Sequence, residues 1–204
     1  MKKLFLIPAV ALFLLSCEKS ISENAKTVND SHQTSENKNE MVALMDKIAD
    51  KMHAPKTSGN NDTDFSNMMI EHHNGAVEMS ELLLNKGKDP ELQTFAQKVI
   101  DAQTQEINLM EKFQNETEKS ADSQDFQQAL NQSMAAMMNK EIKIYNDSDK
   151  DYAAQMIPHH QSAVEMAKAY LKFGKNPQLL KLSEDIIRAQ NTEIAELQNW
   201  LAKK

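Results

Sequence analysis

Residues 64–79 read DFSNMMIEHHNGAVEM and residues 151–166 read DYAAQMIPHHQSAVEM, so the same motif recurs after 87 positions. The register holds without a gap over residues 64–113 and 151–200, and 19 of the 50 aligned residue pairs are identical. A unit of this length that occurs twice differs from the short, many-fold units of solenoid proteins. The sequence therefore predicts a single pseudo-symmetric domain built by internal duplication.

The first half of each repeat carries the start and stop signals of a long helix. Asn61 and Ser148 are placed as N-caps, which is a position that both residue types favour. Gly87 and Gly174 stand where a left-handed C-terminal cap is expected. We therefore expect the HH motifs to lie in the middle of two equivalent helices.

The second half of each repeat restarts with a capping residue followed by proline, at Asp89-Pro90 and at Asn176-Pro177. A methionine-bearing helix is also expected ahead of each hairpin, over residues 40–53 and 124–145. Nothing in the chain shows the alternation of a strand. The predicted fold class is all-α: a ferritin-like up-down four-helix bundle from two duplicated hairpins, with two flanking or extending helices.

The N-terminus has the features of an exported lipoprotein. Lys2 and Lys3 precede an apolar stretch, residues 4–15, which is too short to span a bilayer. The stretch ends at Cys17, the only cysteine, where a lipid would be attached. We expect a signal peptide over residues 1–16, a polar flexible tether over 17–39 and the helical bundle over 40–204. The protein is then anchored in the bacterial cell envelope, periplasmic or on the outer face, and contacts the membrane only through its lipid.

The composition narrows the classes of partner and of metal site. A formal charge of −7 argues against nucleic acid. Because no cysteine other than Cys17 is present, an internal disulfide and a thiolate metal site are both excluded. The 13 methionines are more than ordinary usage, although methionine-rich cores would account for them as well.

The unusual polar residues of the first helices fall on the side that faces the core. At 100° per residue, both histidines of each repeat lie on the apolar sector together with methionines. The proposed metal ligands are Met69, His72, His73 and Met79 in the first repeat and Met156, His159, His160 and Met166 in the second.

The second helices carry two polar residues inside their apolar stripes, Gln103 with Glu106 and Gln190 with Glu193. A buried carboxylate needs a partner or its pKa must rise, and the histidines of the preceding helix are the obvious partners. The glutamates fit best as acceptors that orient a liganding imidazole, and direct ligation by either residue type stays open. A purely structural hydrogen-bond network is the alternative to metal binding.

Ligand softness indicates which metal such a site would take. Di-iron bundles use Glu-x-x-His, whereas the residue three before each histidine pair is here a methionine, Met69 or Met156. A thioether favours Cu(I) or its mimic Ag(I), and imidazole accepts either copper oxidation state. Further thioether or imidazole ligands, or simple core residues, are Met41, Met45, Met52, His53, Met134, Met137 and Met138.

The repeated pattern Met-Ile-x-His-His-x-x-Ala-Val-x-Met, followed by Gln-x-x-Glu-Ile, resembles a family of secreted ferritin-like domains of unknown function. The resemblance covers residues 40–204, and the family includes a periplasmic copper-binding protein. It implies a helical bundle, binding of copper and silver by methionine and histidine, and copper resistance outside the cytoplasm. Glu71 stands where the second repeat has Pro158, and Gly75 where it has Ser162, so the two copies are not expected to bind identically.

The sequence thus favours a copper-binding protein that buffers, detoxifies or delivers the metal, with an unidentified protein as donor or acceptor. We do not expect an enzyme, because no acid-base or nucleophile constellation is evident. A ferritin-like metalloenzyme and a metal-free structural or interaction lipoprotein are the alternatives. The sequence does not decide between one site in each repeat and one site that both repeats share.

Overall fold

The structure is a computed structural model that describes residues 39–52, 57–138 and 141–204, all within one compact unit. These residues form six α-helices and no strand, in agreement with the predicted class. The helices are α1 (Glu40–Met52), α2 (Asn61–Lys86), α3 (Pro90–Met110), α4 (Ser123–Ser133), α5 (Ser148–Phe173) and α6 (Pro177–Ala202). Short 3-10 turns follow α3 (Glu111–Phe113) and α4 (Met134–Ala136).

The expected signal peptide, the lipidation site at Cys17 and the tether as far as residue 38 lie outside the described residues, as does His53. Of the helices in the described ranges, none combines the length and the apolar character that a membrane span requires.

Helices α2 and α5 begin one residue earlier than predicted. The N-caps are Asn60 and Asp147, not Asn61 and Ser148. Each cap has extended backbone angles, and its side-chain oxygen accepts a hydrogen bond from the N–H three residues on, at 2.9 and 3.0 Å. This geometry satisfies one of the free N–H groups of the first turn.

Gly87 and Gly174 end α2 and α5 in extended conformations, with φ of −72° and −78°, so the predicted left-handed caps are wrong. Their N–H groups donate to the carbonyls of Leu83 and Tyr170. Glycine is needed for space instead. A Cβ on Gly174 would lie 2.3 Å from Cζ of the Tyr170 ring, and one on Gly87 would lie 2.6 Å from a Leu83 methyl group.

The second helices start as predicted. Asp89 and Asn176 cap α3 and α6, and each accepts hydrogen bonds from two N–H groups of the first turn. Proline occupies the first helical position in both, where its missing N–H costs no hydrogen bond.

The helix predicted over residues 124–145 is shorter than expected, because α4 ends at Ser133. The buried carboxylate of Asp151 accepts hydrogen bonds from the N–H groups of Tyr145 (2.7 Å) and Asp147 (2.9 Å). These bonds hold the end of the segment in a loop, since a helix would direct the same groups at its own carbonyls. Helix α4 is therefore a short cover and not a full bundle helix.

The centre of the bundle is the antiparallel pair α2 and α5. Phe65 stacks on Tyr170 with ring centroids 4.2 Å apart near one end, and Ser80 hydrogen bonds to Tyr152 (3.0 Å) near the other. Helix α3 packs on α2, and α6 packs on α5. Helix α1 packs across both central helices, and α4 packs mainly on α5. Two hairpins with two added helices agree with the predicted architecture.

Helix α1 is antiparallel to α2 and is oriented by exposed ion pairs. Glu40 contacts Lys86 (2.7 Å), and Lys47 (3.2 Å) and Lys51 (2.8 Å) both contact Glu78. Exposed pairs of this kind contribute little free energy. The adhesion of α1 comes from its buried apolar face, which consists of Met41, Met45, Ile48 and Met52.

Candidate metal centre

His72 of α2 and His159 of α5 meet in the middle of the central helix pair. Their ring centroids are 3.8 Å apart and their planes are tilted by 41°. Both side chains are fully buried. The two residues are equivalent in the repeat, so a contact between them lies on the pseudo-twofold axis that relates the two hairpins.

Neither ring nitrogen of His72 or of His159 makes a hydrogen bond. Burial, and then the neighbouring histidines, hold the pKa of both imidazoles well below the usual range, and a nearby backbone group of the other histidine opposes the shift only weakly. The rings are therefore neutral, and each keeps a free lone pair. A buried polar group without a partner costs about 1–3 kcal/mol, so this pair is costly for a purely structural element.

The other two histidines have carboxylate partners. His73 Nε2 lies 2.6 Å from Glu106 Oε2, and His160 Nε2 lies 2.9 Å from Glu193 Oε2 with poorer hydrogen-bond alignment. Both rings are fully buried, and their Nδ1 atoms make no hydrogen bond. The carboxylates are 20% and 21% exposed, so they are half-buried and not buried as expected. They reach from the apolar stripe to its solvent edge.

Within one hairpin the two histidine rings are farther apart. The centroids of His72 and His73 are 6.1 Å apart, and those of His159 and His160 are 6.2 Å apart. The structure therefore separates a central pair on the pseudo-twofold axis from two outer pairs, each consisting of a histidine and a glutamate.

The four methionines predicted as ligands are all fully buried. Met69 and Met156 stand one helical turn before His72 and His159, on the same face of their helices. Met79 and Met166 lie seven residues after the central histidines, which is about 10 Å along the helix axis. Helix geometry places the first two methionines beside the central pair and the other two more than a turn beyond it.

Gln103 and Gln190 are buried one turn before the glutamates of α3 and α6. Neither side-chain atom of Gln103 makes a hydrogen bond, and the Oε1 of Gln190 makes none. These amides add further unpaired polar atoms to the interior of each hairpin.

The structure separates the methionines of the flanking segments into three groups. Met41, Met45 and Met52 form the buried face of α1, Met134 and Met137 are buried at the end of α4, and Met138 is 55% exposed. Met68 is also buried, although the sequence analysis did not single it out. Its repeat equivalent is Gln155, so comparison of the repeats gave no signal for it.

Among residues 39–52, 57–138 and 141–204, no three side chains of His, Cys, Asp or Glu are grouped so as to hold a metal ion. The central pair provides two imidazoles, and the other donors near it along α2 and α5 are thioethers.

Solved structures with the same fold include copper- and silver-bound forms of one protein. The chain is 31% identical to CopM in a silver-bound form, over 70% of this chain and 95% of that one, with a TM-score of 0.52. It is 32% identical to CopM in its Cu(I)-bound form, with the same TM-score and 96% of that chain covered. A DUF305 protein from Streptomyces coelicolor shares the fold at 21% identity and a TM-score of 0.57, over 72% of this chain and 94% of that one.

A curated relative is Uncharacterized protein L153 of Acanthamoeba polyphaga mimivirus, which is 39% identical over 56 residues. The match covers 28% of this chain and spans 37% of that protein. The family model for the domain of unknown function DUF305 matches the chain twice, at residues 17–114 and 62–201. The first match contains the first HH motif and the second match contains both, and together they cover most of the sequence, so the chain belongs to the DUF305 family.

Proposed function

We propose that this protein binds copper, as Cu(I) and also as Cu(II), and takes Ag(I) as a chemical mimic, through histidine and methionine. The observation that carries the proposal is the central pair, His72 and His159, whose four ring nitrogens are buried without partners. A bound cation supplies the missing partner, because a neutral imidazole donates its lone pair to a metal.

The donor chemistry favours copper over harder metals. Met69 and Met156 stand one turn from the central histidines, and both are fully buried. Thioether sulfur selects Cu(I), whereas iron and manganese bundles place carboxylates at the corresponding helical positions. The similarity to CopM, whose structures include Cu(I)-, Cu(II)- and silver-bound forms, supports the same choice of metal.

The outer pairs, His73 with Glu106 and His160 with Glu193, would affect metal binding by orienting the histidine rings next to the central pair. A carboxylate that accepts the N–H of an imidazole fixes the tautomer and the orientation of the ring. Glu106 and Glu193 are placed to do this for His73 and His160. We assign them a positioning role, with metal contact left to imidazole and thioether.

The physiological role follows from metal binding combined with export. An envelope protein that holds copper in a buried site serves in buffering, resistance or delivery to another protein, with copper as its cargo. Lipidation at Cys17 would keep it at the membrane. Binding of cargo, and not catalysis, is the activity we propose.

A competition titration tests the proposal. The purified protein is titrated anaerobically with Cu(I), and separately with Zn(II), against a chromophoric chelator of known affinity. We expect Cu(I) to compete successfully and Zn(II) to bind more weakly. A variant with leucine at His72, His73, His159 and His160 should lose tight binding of either copper oxidation state.

The same titration identifies the alternatives. Tight binding of zinc or iron, with Cu(I) bound no better than by the four-histidine variant, would overturn the copper proposal in favour of a metalloenzyme-type site. Absence of binding to every metal would favour a structural or interaction protein.

A further inference from the structure

We infer that the two hairpins build one soft-metal site together, centred on the pseudo-twofold axis, and do not each hold a complete site. The inference rests on the proposed copper binding and specifies how that binding is organised. Its core is His72 from one hairpin and His159 from the other, with Met69 and Met156 as the accompanying thioethers.

The distances between rings support sharing. The nearest histidine to His72 is its repeat equivalent in the other hairpin, at 3.8 Å, and not its sequence neighbour His73, at 6.1 Å. The same holds for His159, whose neighbour His160 is 6.2 Å away. A site confined to one hairpin would have to join the two rings that lie farther apart.

The partners of the histidines support the same division. His73 and His160 are engaged by glutamates of their own hairpins, at 2.6 and 2.9 Å. Of the four rings, only those of His72 and His159 have neither a hydrogen bond nor a carboxylate beside either nitrogen, whereas Nε2 of His73 and of His160 faces a glutamate oxygen. The imidazole lone pairs that are free to bind a metal therefore come from both hairpins and lie together at the central pair.

Helix geometry adds the thioethers symmetrically. Because α2 and α5 are antiparallel, the residues one turn before His72 and before His159 lie on opposite sides of the ring pair, each about 4.5 Å along the axis. One hairpin alone offers one imidazole and one thioether at this level. The two hairpins together offer two of each, which completes a four-donor set for Cu(I).

The ring contact places the ion at the edges of the rings. Two rings with centroids 3.8 Å apart leave no space for an ion between their faces. An ion must instead bind in the plane of each ring, at a ring nitrogen. Binding therefore requires the two rings to turn, and no hydrogen bond restrains either of them.

Single-histidine variants distinguish a shared site from two separate ones. His72→Leu, His159→Leu and the double variant are loaded with Cu(I) or Ag(I), and the tightly bound ions per chain are counted by native mass spectrometry. Leucine removes the nitrogens and keeps an apolar side chain in the core. We expect each single variant to lose the tightly bound metal as completely as the double variant does.

Two separate sites would give a different count. Each single variant would then keep half of the tightly bound metal of the wild type, and only the double variant would lose all of it. That result would overturn the shared site and leave the proposed copper binding intact. If the wild-type protein binds neither ion, the proposed function itself fails.

A second measurement does not depend on any substitution. In the Ag(I)-loaded wild-type protein, proton–silver correlation spectra identify the side chains coupled to each bound silver. One silver coupled to residues of both α2 and α5 is the expected result. Silver signals that each couple to a single hairpin would contradict the inference.

Discussion

In the first hairpin Gly75 packs against Ile48 of α1, whereas in the second hairpin the equivalent residue, Ser162, contacts Met134. A Cβ on Gly75 would be 2.7 Å from Cγ2 of Ile48, so the close approach of α1 requires glycine there. The hydroxyl of Ser162 lies 3.6 Å from the sulfur of Met134, so the turn after α4 leaves room for a side chain. The two positions differ because different segments cover them.

The same reasoning applies to Glu71 in the first hairpin. Glu78, and to a smaller extent Glu71, raise the pKa of Lys51 on α1, so both carboxylates face that helix. The second hairpin has the buried Pro158 at the equivalent position, where no N–H can be donated within α5. The exchange of Gly75 for Ser162 thus falls where α2 meets α1 and where α5 meets the segment after α4, and Glu71 lies on the side of α2 that faces α1.

The histidines, the ligand methionines and the Gln-Glu pairs are identical in the two hairpins. These residues line the faces that the hairpins present to each other or to their own second helices. We therefore expect equal effects from equivalent changes at the centre, and unequal effects from changes at the positions that the flanking segments cover.

After the histidine variants, the largest effect is expected from the two methionines beside the central pair. Met69→Leu and Met156→Leu should each lower Cu(I) affinity about tenfold, and the double variant about 100-fold, or about 2.7 kcal/mol. Leucine keeps the volume, so stability should change little. The same Cu(I) competition titration measures each variant.

Met110→Leu is the matched control, because Met110 is buried in α3 and its repeat equivalent is Leu197. It should bind Cu(I) like the wild type. A loss of affinity at Met110 as large as at Met69 would contradict a specific role for the methionines beside the central pair. A loss at only one of Met69 and Met156 would contradict the equivalence of the two hairpins.

The central pair should make the stability of the metal-free protein depend on pH. In the unfolded chain a histidine titrates near pH 6.5, while burial lowers the pKa of His72 and of His159 in the fold. Below about pH 6.5 the unfolded state therefore binds more protons, so stability that is fully present above this pH is lost as the pH falls. Two such groups give a slope of up to about 2.7 kcal/mol per pH unit.

Denaturant unfolding of the metal-free protein between about pH 7.5 and 5.5 measures this slope. Replacing both His72 and His159 by leucine should flatten it. If the double variant kept the wild-type slope, the central pair would not be the group that titrates.

The outer pairs should have smaller and equal effects. Glu106→Ala and Glu193→Ala should each weaken Cu(I) binding about tenfold, at the low end for residues that orient a ligand, because both carboxylates are partly hydrated. Each should destabilise the metal-free protein by about 1 kcal/mol, because a buried imidazole loses its carboxylate partner. Glutamine at either position keeps an acceptor for the imidazole N–H and should restore part of the affinity.

The smallest effect is expected on the stability of the protein, from changes at Gly75 and Ser162, where flanking segments pack on the central helices. This effect should differ between the two hairpins. Gly75→Ala should destabilise the protein by about 1 kcal/mol, because overpacking against Ile48 outweighs the gain in helix propensity. Ser162→Ala should be close to neutral. Thermal unfolding measures both, and combining Gly75→Ala with Ile48→Ala should relieve the crowding. A Gly75→Ala variant as stable as the wild type would remove the explanation for the glycine.

Much of the fold was predictable because helical periodicity and caps are local signals. The repeat, the starts of α3 and α6, and the inward direction of the histidines could all be predicted from spacing. The end of α4 could not, because it depends on Asp151, which lies in another helix and takes the N–H groups of Tyr145 and Asp147.

The arrangement of the site was only partly predictable for a related reason. Periodicity indicates which face of a helix is buried, but not which other helix that face meets. His72 therefore could not be assigned to His159, and one site in each repeat and one site shared by both stayed open. Glu106 and Glu193 lie in apolar stripes by sequence, yet their side chains are long enough to reach the solvent edge.

X-ray absorption at the copper edge tests the central claim most directly. The Cu(I)-loaded wild-type protein is compared with the double variant Met69→Leu and Met156→Leu. We predict both sulfur and imidazole nitrogen in the coordination shell of the wild-type protein, and loss of sulfur in the variant. A wild-type shell of nitrogen and oxygen alone would contradict a site built from thioether and imidazole.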